Sequence, residues 1–301
     1  MASSNVGSGL MAERGLIGRH PLVSYFVIAF AITWLVEATF VLSQDGSGLL
    51  PFKAPMSFMA TISVATFGPA AAAFAVTAII DGRQGVLGLL RRIVHWQVGF
   101  RWYLFVLVGV PLVMTLGTIV LPGILASATS MNVVAELLAY LPFFIYPAMI
   151  VGGPLGEEIG WRGFALSRLQ ALHGPILASV ILGILWAFWH WPVWFSGQWT
   201  QPTLLNIALY VFWITAATFT YTWVFNNTHG SVLMAILTHA SMDAFPNAIL
   251  WEHLPDATKM TGYGVLYGYW GIGAGFGLFA LLLIVVTRGR LGYDRYSVER
   301  R

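Results

Sequence analysis

The chain has 301 residues, of which 58% are hydrophobic and only 9% charged. Soluble domains carry about 25% charged residues, so this composition cannot build a water-facing surface, and the mean hydropathy of +0.77 agrees. The net charge of +3 is scattered between apolar runs, which excludes nucleic acid as a partner, and the absence of cysteine excludes disulfides, thiolate zinc sites and cysteine nucleophiles.

A membrane-crossing helix needs about 20 apolar residues, and helices are the default because backbone groups cannot be left unpaired in hydrocarbon. Residues 1–21 are polar and glycine-rich and read as a cytoplasmic tail. The first apolar run, Leu22 to Ser43, is longer than the roughly 7–15 residue core of a cleaved signal and reads as a retained span. A second span is expected at 57–80. The segment Gly82 to Trp96 mixes leucines with three arginines and reads either as a helix in the membrane interface or as a basic loop. Spans follow at 102–125 and 133–153, then a polar segment at 154–174, into which the fourth span has the option of running on past Gly152-Gly153-Pro154. The remaining spans are expected at 175–195, 204–226, 231–250 and 270–287, and 288–301 is a second cytoplasmic tail. The fold class is therefore all-α integral membrane, with about eight helices in one bundle around a polar cavity. No internal repeat is visible.

Arginine and lysine placement orients the bundle. The N-terminal tail, 81–101, 154–174 and the C-terminal tail hold thirteen arginines, against Lys53 and Lys259 on the other side. Both termini are expected in the cytoplasm of a multi-pass cell-membrane protein.

An ionisable side chain at membrane depth is expensive and marks function by default. Three clusters meet that description. In Glu157-Glu158-Ile159-Gly160-Trp161-Arg162, Glu158 and Arg162 are four apart with the acid first, the favourable order on one helix face. Glu157 points about 100° away and can face a different cavity. Two neighbouring carboxylates with different surroundings can take different tasks: Glu157 as base, Glu158 with Arg162 as a brace. The plain alternative is a solvated helix start with an incidental ion pair. In the second cluster Trp186 and His190 stand one turn apart, with Trp186 walling a pocket that His190 enters; the alternative is an interfacial anchor. In the third, His239 and Asp243 share a face near the middle of the seventh span, the alternative being a mutual hydrogen bond between helices. Glu37 and Glu136 rank below these, and His20, His95, His173, His229 and His253 are read as non-catalytic.

No Gly-x-Ser-x-Gly elbow and no His-Glu-x-x-His pair is present. What remains is water activated by a carboxylate. Without a metal, Glu157 takes the proton of a water that attacks a carbonyl carbon, His190 orients that water and His239 donates to the oxyanion. With a metal, Glu157, His190 and His239 would supply one carboxylate and two imidazoles to a zinc or other divalent ion. The residue types serve both schemes.

The ordered set Glu157-Glu158-x-x-x-Arg162, Trp186-x-x-x-His190 and His239-x-x-x-Asp243 resembles the motifs of the CAAX protease and bacteriocin-processing family of intramembrane proteases, related to the type II CAAX prenyl endopeptidases. The motifs span about residues 150–250. The resemblance implies an eight-helix membrane protease domain, here 22–287, with a cavity open to the cytoplasm. It implies endopeptidase cleavage of a prenylated (CAAX-like) or other membrane-associated substrate. It also implies that Glu157 and His190 activate water, that His239 and residue 243 form the oxyanion site, and that Glu158 and Arg162 support them. The prenyl endopeptidases carry asparagine where this chain has Asp243, and an ionised aspartate cannot donate to an oxyanion. Asp243 has then to be protonated, to orient His239 or to bind a metal. The implied partners are a membrane-associated peptide or protein and the lipid bilayer. A proton- or ion-coupled transporter is the alternative, since buried carboxylates and histidines also form relays, and a non-catalytic membrane scaffold is the third reading. Substrate and oligomeric state are not readable from the chain.

Overall fold

The computed structural model describes residues 15–119, 121, 132–146, 153–246 and 263–298, and among these every regular element is helical. The main helices are α1 (Pro21–Val41), α2 (Phe58–Ala65), α3 (Gly68–Ile93), α4 (Phe100–Thr118), α5 (Val133–Tyr146), α6 (Gly153–Gly160), α7 (Ser167–Trp189), α8 (Leu204–Asn227), α9 (Val232–Phe245) and α10 (Tyr263–Val286). Six segments among the described residues are long and apolar enough to cross a membrane. The chain is an all-α, multi-pass membrane protein. The expected fourth and seventh spans are 14-residue helices, α5 and α9; the outer parts of both expectations, 147–152 and 247–250, lie outside the described residues.

Local chemistry sets the breaks. Pro69 has no amide hydrogen to give the Ala65 carbonyl one turn earlier, so the α2–α3 junction would strand an acceptor in an apolar bundle. Thr33 of α1 supplies the missing donor: its hydroxyl reaches the Ala65 carbonyl at 2.8 Å. Ser57, Thr203 and Ser231 cap the first turns of α2, α8 and α9, each side chain accepting from an amide three residues on. Beyond Gly82, which has φ +59, residues 83–93 of α3 are helical rather than a loop.

Residues 154–174, read from sequence as a loop into which the fourth span has the option of running on, are helical. α6 continues through a π turn, Trp161–Leu166, into α7, and the backbone breaks only at Gly174, whose φ of +73 is the region that favours glycine. The chain reverses there. Glu157 and Trp186 are 29 residues apart, which a straight helix would separate by about 44 Å at 1.5 Å per residue, yet they are hydrogen-bonded at 2.7 Å. Arg162 is fully buried and so is not a charge on a membrane-facing loop.

The core runs along α6, α7, α8 and α9 and is rich in aromatic rings, while residues such as Leu35, Leu116, Leu278 and Val285 are exposed on the outside, as a lipid-facing surface requires. One end of the bundle is tied by Arg168 to Asp81 at 3.1 Å, Ser231 to the His95 carbonyl at 2.6 Å and Asn226 to the Leu291 carbonyl at 3.0 Å. Those contacts gather 81–101, 168–174 and 288–298, with most of the arginines, at one end.

Candidate active site

Two adjacent carboxylates of α6 leave the helix in different directions. Glu157 lines a cavity of about 440 Å³, walled also by Trp186, His190, His239 and Asp243. Its Oε2 accepts from the indole of Trp186 at 2.7 Å and from that of Trp161 at 3.4 Å. Indole nitrogens only donate, so they fix one oxygen of the carboxylate and set its rotamer.

Glu158 is on the other side, fully buried. Its Oε1 takes Arg162 Nη1 at 2.7 Å and His239 Nδ1 at 2.8 Å. The guanidinium lies over two rings, 4.3 Å from Trp186 and 3.8 Å from Tyr221, a cation–π arrangement that offsets part of its desolvation. Glu158 and Arg162 therefore touch the cavity only through His239 and Trp186.

His190 ends α7. Its Nδ1 is 2.9 Å from the Trp186 carbonyl; a carbonyl only accepts, so Nδ1 carries the proton and Nε2 has its lone pair. Trp34 of α1 donates to the Trp189 carbonyl at 2.9 Å and pins the same helix end. On α9, His239 gives Nδ1 to Glu158, and its Nε2 lies 3.7 Å from Asp243 Oδ2. That separation is too long for a hydrogen bond, so Nε2 keeps its capacity toward the cavity.

Glu157, Trp186, His190, His239 and Asp243 thus converge on one cavity from three helices, with Glu158 and Arg162 behind them. Two features escaped the sequence reading. Trp161 and Trp186 are donors to the carboxylate, not merely wall. Glu37, ranked low because no motif accompanies it, lines the same cavity and is 2% exposed; its one signal was a lone carboxylate in an apolar span. Glu136 is not among the lining residues, His95 and His229 stack on each other 6.2 Å apart, and His253 lies outside the described residues.

The optional zinc reading finds no support in the geometry. Among the described residues, no three histidine, aspartate or glutamate side chains are grouped so that they could hold one ion. His190 and His239 each give Nδ1–H to a protein acceptor and Glu157 Oε2 is held by indole, which orients all three side chains. Among the described residues the set is not gathered into a metal centre.

Residues 139–245 match the family model described as type II CAAX prenyl endopeptidase Rce1-like. Over 116 residues the chain is 28% identical to CAAX prenyl protease 2 of Methanococcus maripaludis, a match that covers 37% of this chain and 42% of that one. Over this segment the chain is similar to the CAAX protease family. The matched segment runs from α5 to α9 and contains each of the seven residues singled out by motif. Glu37, on α1, lies outside it. The chain spans less than half the length of the relative it matches.

Proposed function

We propose that the cavity is the active centre of an intramembrane endopeptidase that hydrolyses a peptide bond in a membrane-associated substrate. The observation that carries this reading is the meeting of Glu157, His190 and His239, from three separate helices, around one cavity inside the bundle. A water held between Glu157 and Nε2 of His190 gives a proton to the Glu157 carboxylate as its oxygen bonds to the scissile carbonyl carbon. The carbonyl oxygen becomes an oxyanion and accepts from Nε2–H of His239, which acts as an imidazolium because its Nδ1–H is given to Glu158. When the C–N bond breaks, the proton on Glu157 passes to the departing amine, which restores the carboxylate. Trp186 and Trp161 aim the base, and Glu158, held by Arg162, fixes the ring of His239. Asp243, whose Oδ2 lies 3.7 Å from Nε2 of His239, supports positive charge on that ring rather than donating to the oxyanion. The arginine-rich end of the bundle, with both tails, is assigned to the cytoplasm.

The test is cleavage of a membrane-tethered reporter peptide by the purified chain in liposomes. Glu157→Gln is expected to slow turnover by about 10²–10⁴-fold with an unchanged melting curve. Cleavage by Glu157→Gln at the parent rate would remove the base assignment.

A further inference from the structure

Glu37 has no part in the hydrolysis just described. It enters the cavity from α1, is 2% exposed, and its Oε2 makes no hydrogen bond among the described residues. A carboxylate oxygen kept dry and unpartnered is costly, and a cavity residue of this kind calls for an occupant. The surroundings say which. Glu37, Glu157 and Asp243 line the cavity together, and no lysine or arginine lines it among the described residues. Aromatic faces close in as well, from Trp189, Tyr210 and Tyr269. Carboxylate plus aromatic ring is the chemistry that holds a cation. A peptide's free carboxylate in the same place would meet three acidic side chains.

We propose that Glu37 receives a lysine or arginine side chain of the substrate, close to the scissile bond. This rests on the peptidase reading and adds the substrate class to it. Charge recognition then sets specificity twice: the cation gains a partner, and an acidic residue at the same position is rejected.

The experiment separates the two claims. A set of membrane-tethered peptides carries Lys, Gln or Glu at each position within four residues of the cleavage site. The full chain is compared with Glu37→Gln, which keeps shape and removes charge. The Lys peptide is expected to be cleaved about tenfold better in kcat/KM than its Gln partner, the size of one charge-assisted hydrogen bond, and the Glu peptide worse than either. In Glu37→Gln the Lys-to-Gln ratio should fall toward one. A ratio unchanged by Glu37→Gln overturns the proposal, whatever the absolute rates. Binding is measured in parallel by quenching of the cavity tryptophans in Glu157→Gln, with and without Glu37→Gln. If the parent chain cleaves none of the peptides, tighter binding of the Lys peptide that requires Glu37 keeps the cation site and removes the peptidase. Equal binding of Lys and Gln peptides, again without cleavage, overturns both.

Discussion

At the scale of single residues the site depends on two carboxylates one position apart with opposite partners. Glu157 meets two indole donors and the cavity; Glu158 meets an arginine and an imidazole in the core. The 100° step of an α-helix made that division legible, because Arg162 four residues on can serve Glu158 only. What a linear pattern could not carry is that Glu158 also bonds His239, 81 residues away. A buried ion pair stripped of one member leaves an uncompensated charge. Arg162→Met should therefore lower stability by about 3–5 kcal/mol, read as a fall in the detergent melting temperature, whereas Glu157→Gln should leave it near the parent value. Equal melting of Arg162→Met and parent would mean that the pair is not a brace.

At the scale of elements, α6 works because it sits very close to α3. A Cβ at Gly160 would run into the Tyr25 hydroxyl and the Pro69 ring and carbonyl, groups with nowhere to go. At Gly163 the nearest obstacle is the end of the Leu89 side chain, at 2.9 Å, which can rotate. Gly160→Ala should cost about 1–3 kcal/mol by overpacking and shift Glu157 enough to reduce turnover; Gly163→Ala should cost clearly less. The reverse order in thermal melts would contradict this packing. The π turn at Trp161–Leu166 belongs to the same element. Its Gly163 carbonyl accepts from Arg92 Nη2 at 2.6 Å, so a side chain of α3 serves the distorted backbone. Nothing in the local sequence announces a π turn, since it arises from the fit of α6 between α3, α7 and α9.

At the scale of the whole molecule, the gathering of arginines at one end gives topology a clean test, because the chain has no cysteine. Ser47→Cys, in the loop that follows α1, and Ser297→Cys, in the last helical turn, should be labelled by an impermeant reagent from opposite faces of the membrane, with 297 on the cytoplasmic one. Labelling of both from one face would break the assigned orientation. The loop at 42–57 carries its own fastening. The Ala54 amide at 2.9 Å and the Lys53 ammonium at 3.1 Å hold the Asp45 carboxyl below the usual carboxylate range. A depressed carboxyl stabilises above its ordinary value, and that contribution is lost as pH falls through the folded one. Protection of the Ala54 amide should thus be present at neutral pH and fade below about pH 4, measured as hydrogen exchange corrected for the intrinsic rate; Asp45→Ala should remove it at every pH.

Composition alone decided that the protein lives in a bilayer, because 9% charged residues cannot cover a water-facing surface. Run length decided most of its spans, and helical spacing decided which polar residues share a face. Those are local properties, set by hydropathy and by 3.6 residues per turn. The reversal at Gly174 was different. Glycine followed by proline is a turn signal, yet the arginines at 162 and 168 made the segment before it look like a solvated loop. Only tertiary packing shows it as a buried helix, because the cost of burying a guanidinium depends on what surrounds it, here a carboxylate and two rings from other helices. Glu37 belongs with that second group. Its position in the chain marks it as unusual, but whether a lone carboxylate faces lipid, a neighbouring helix or a shared cavity is decided by how the helices rotate against one another, and that rotation is a property of the assembled bundle.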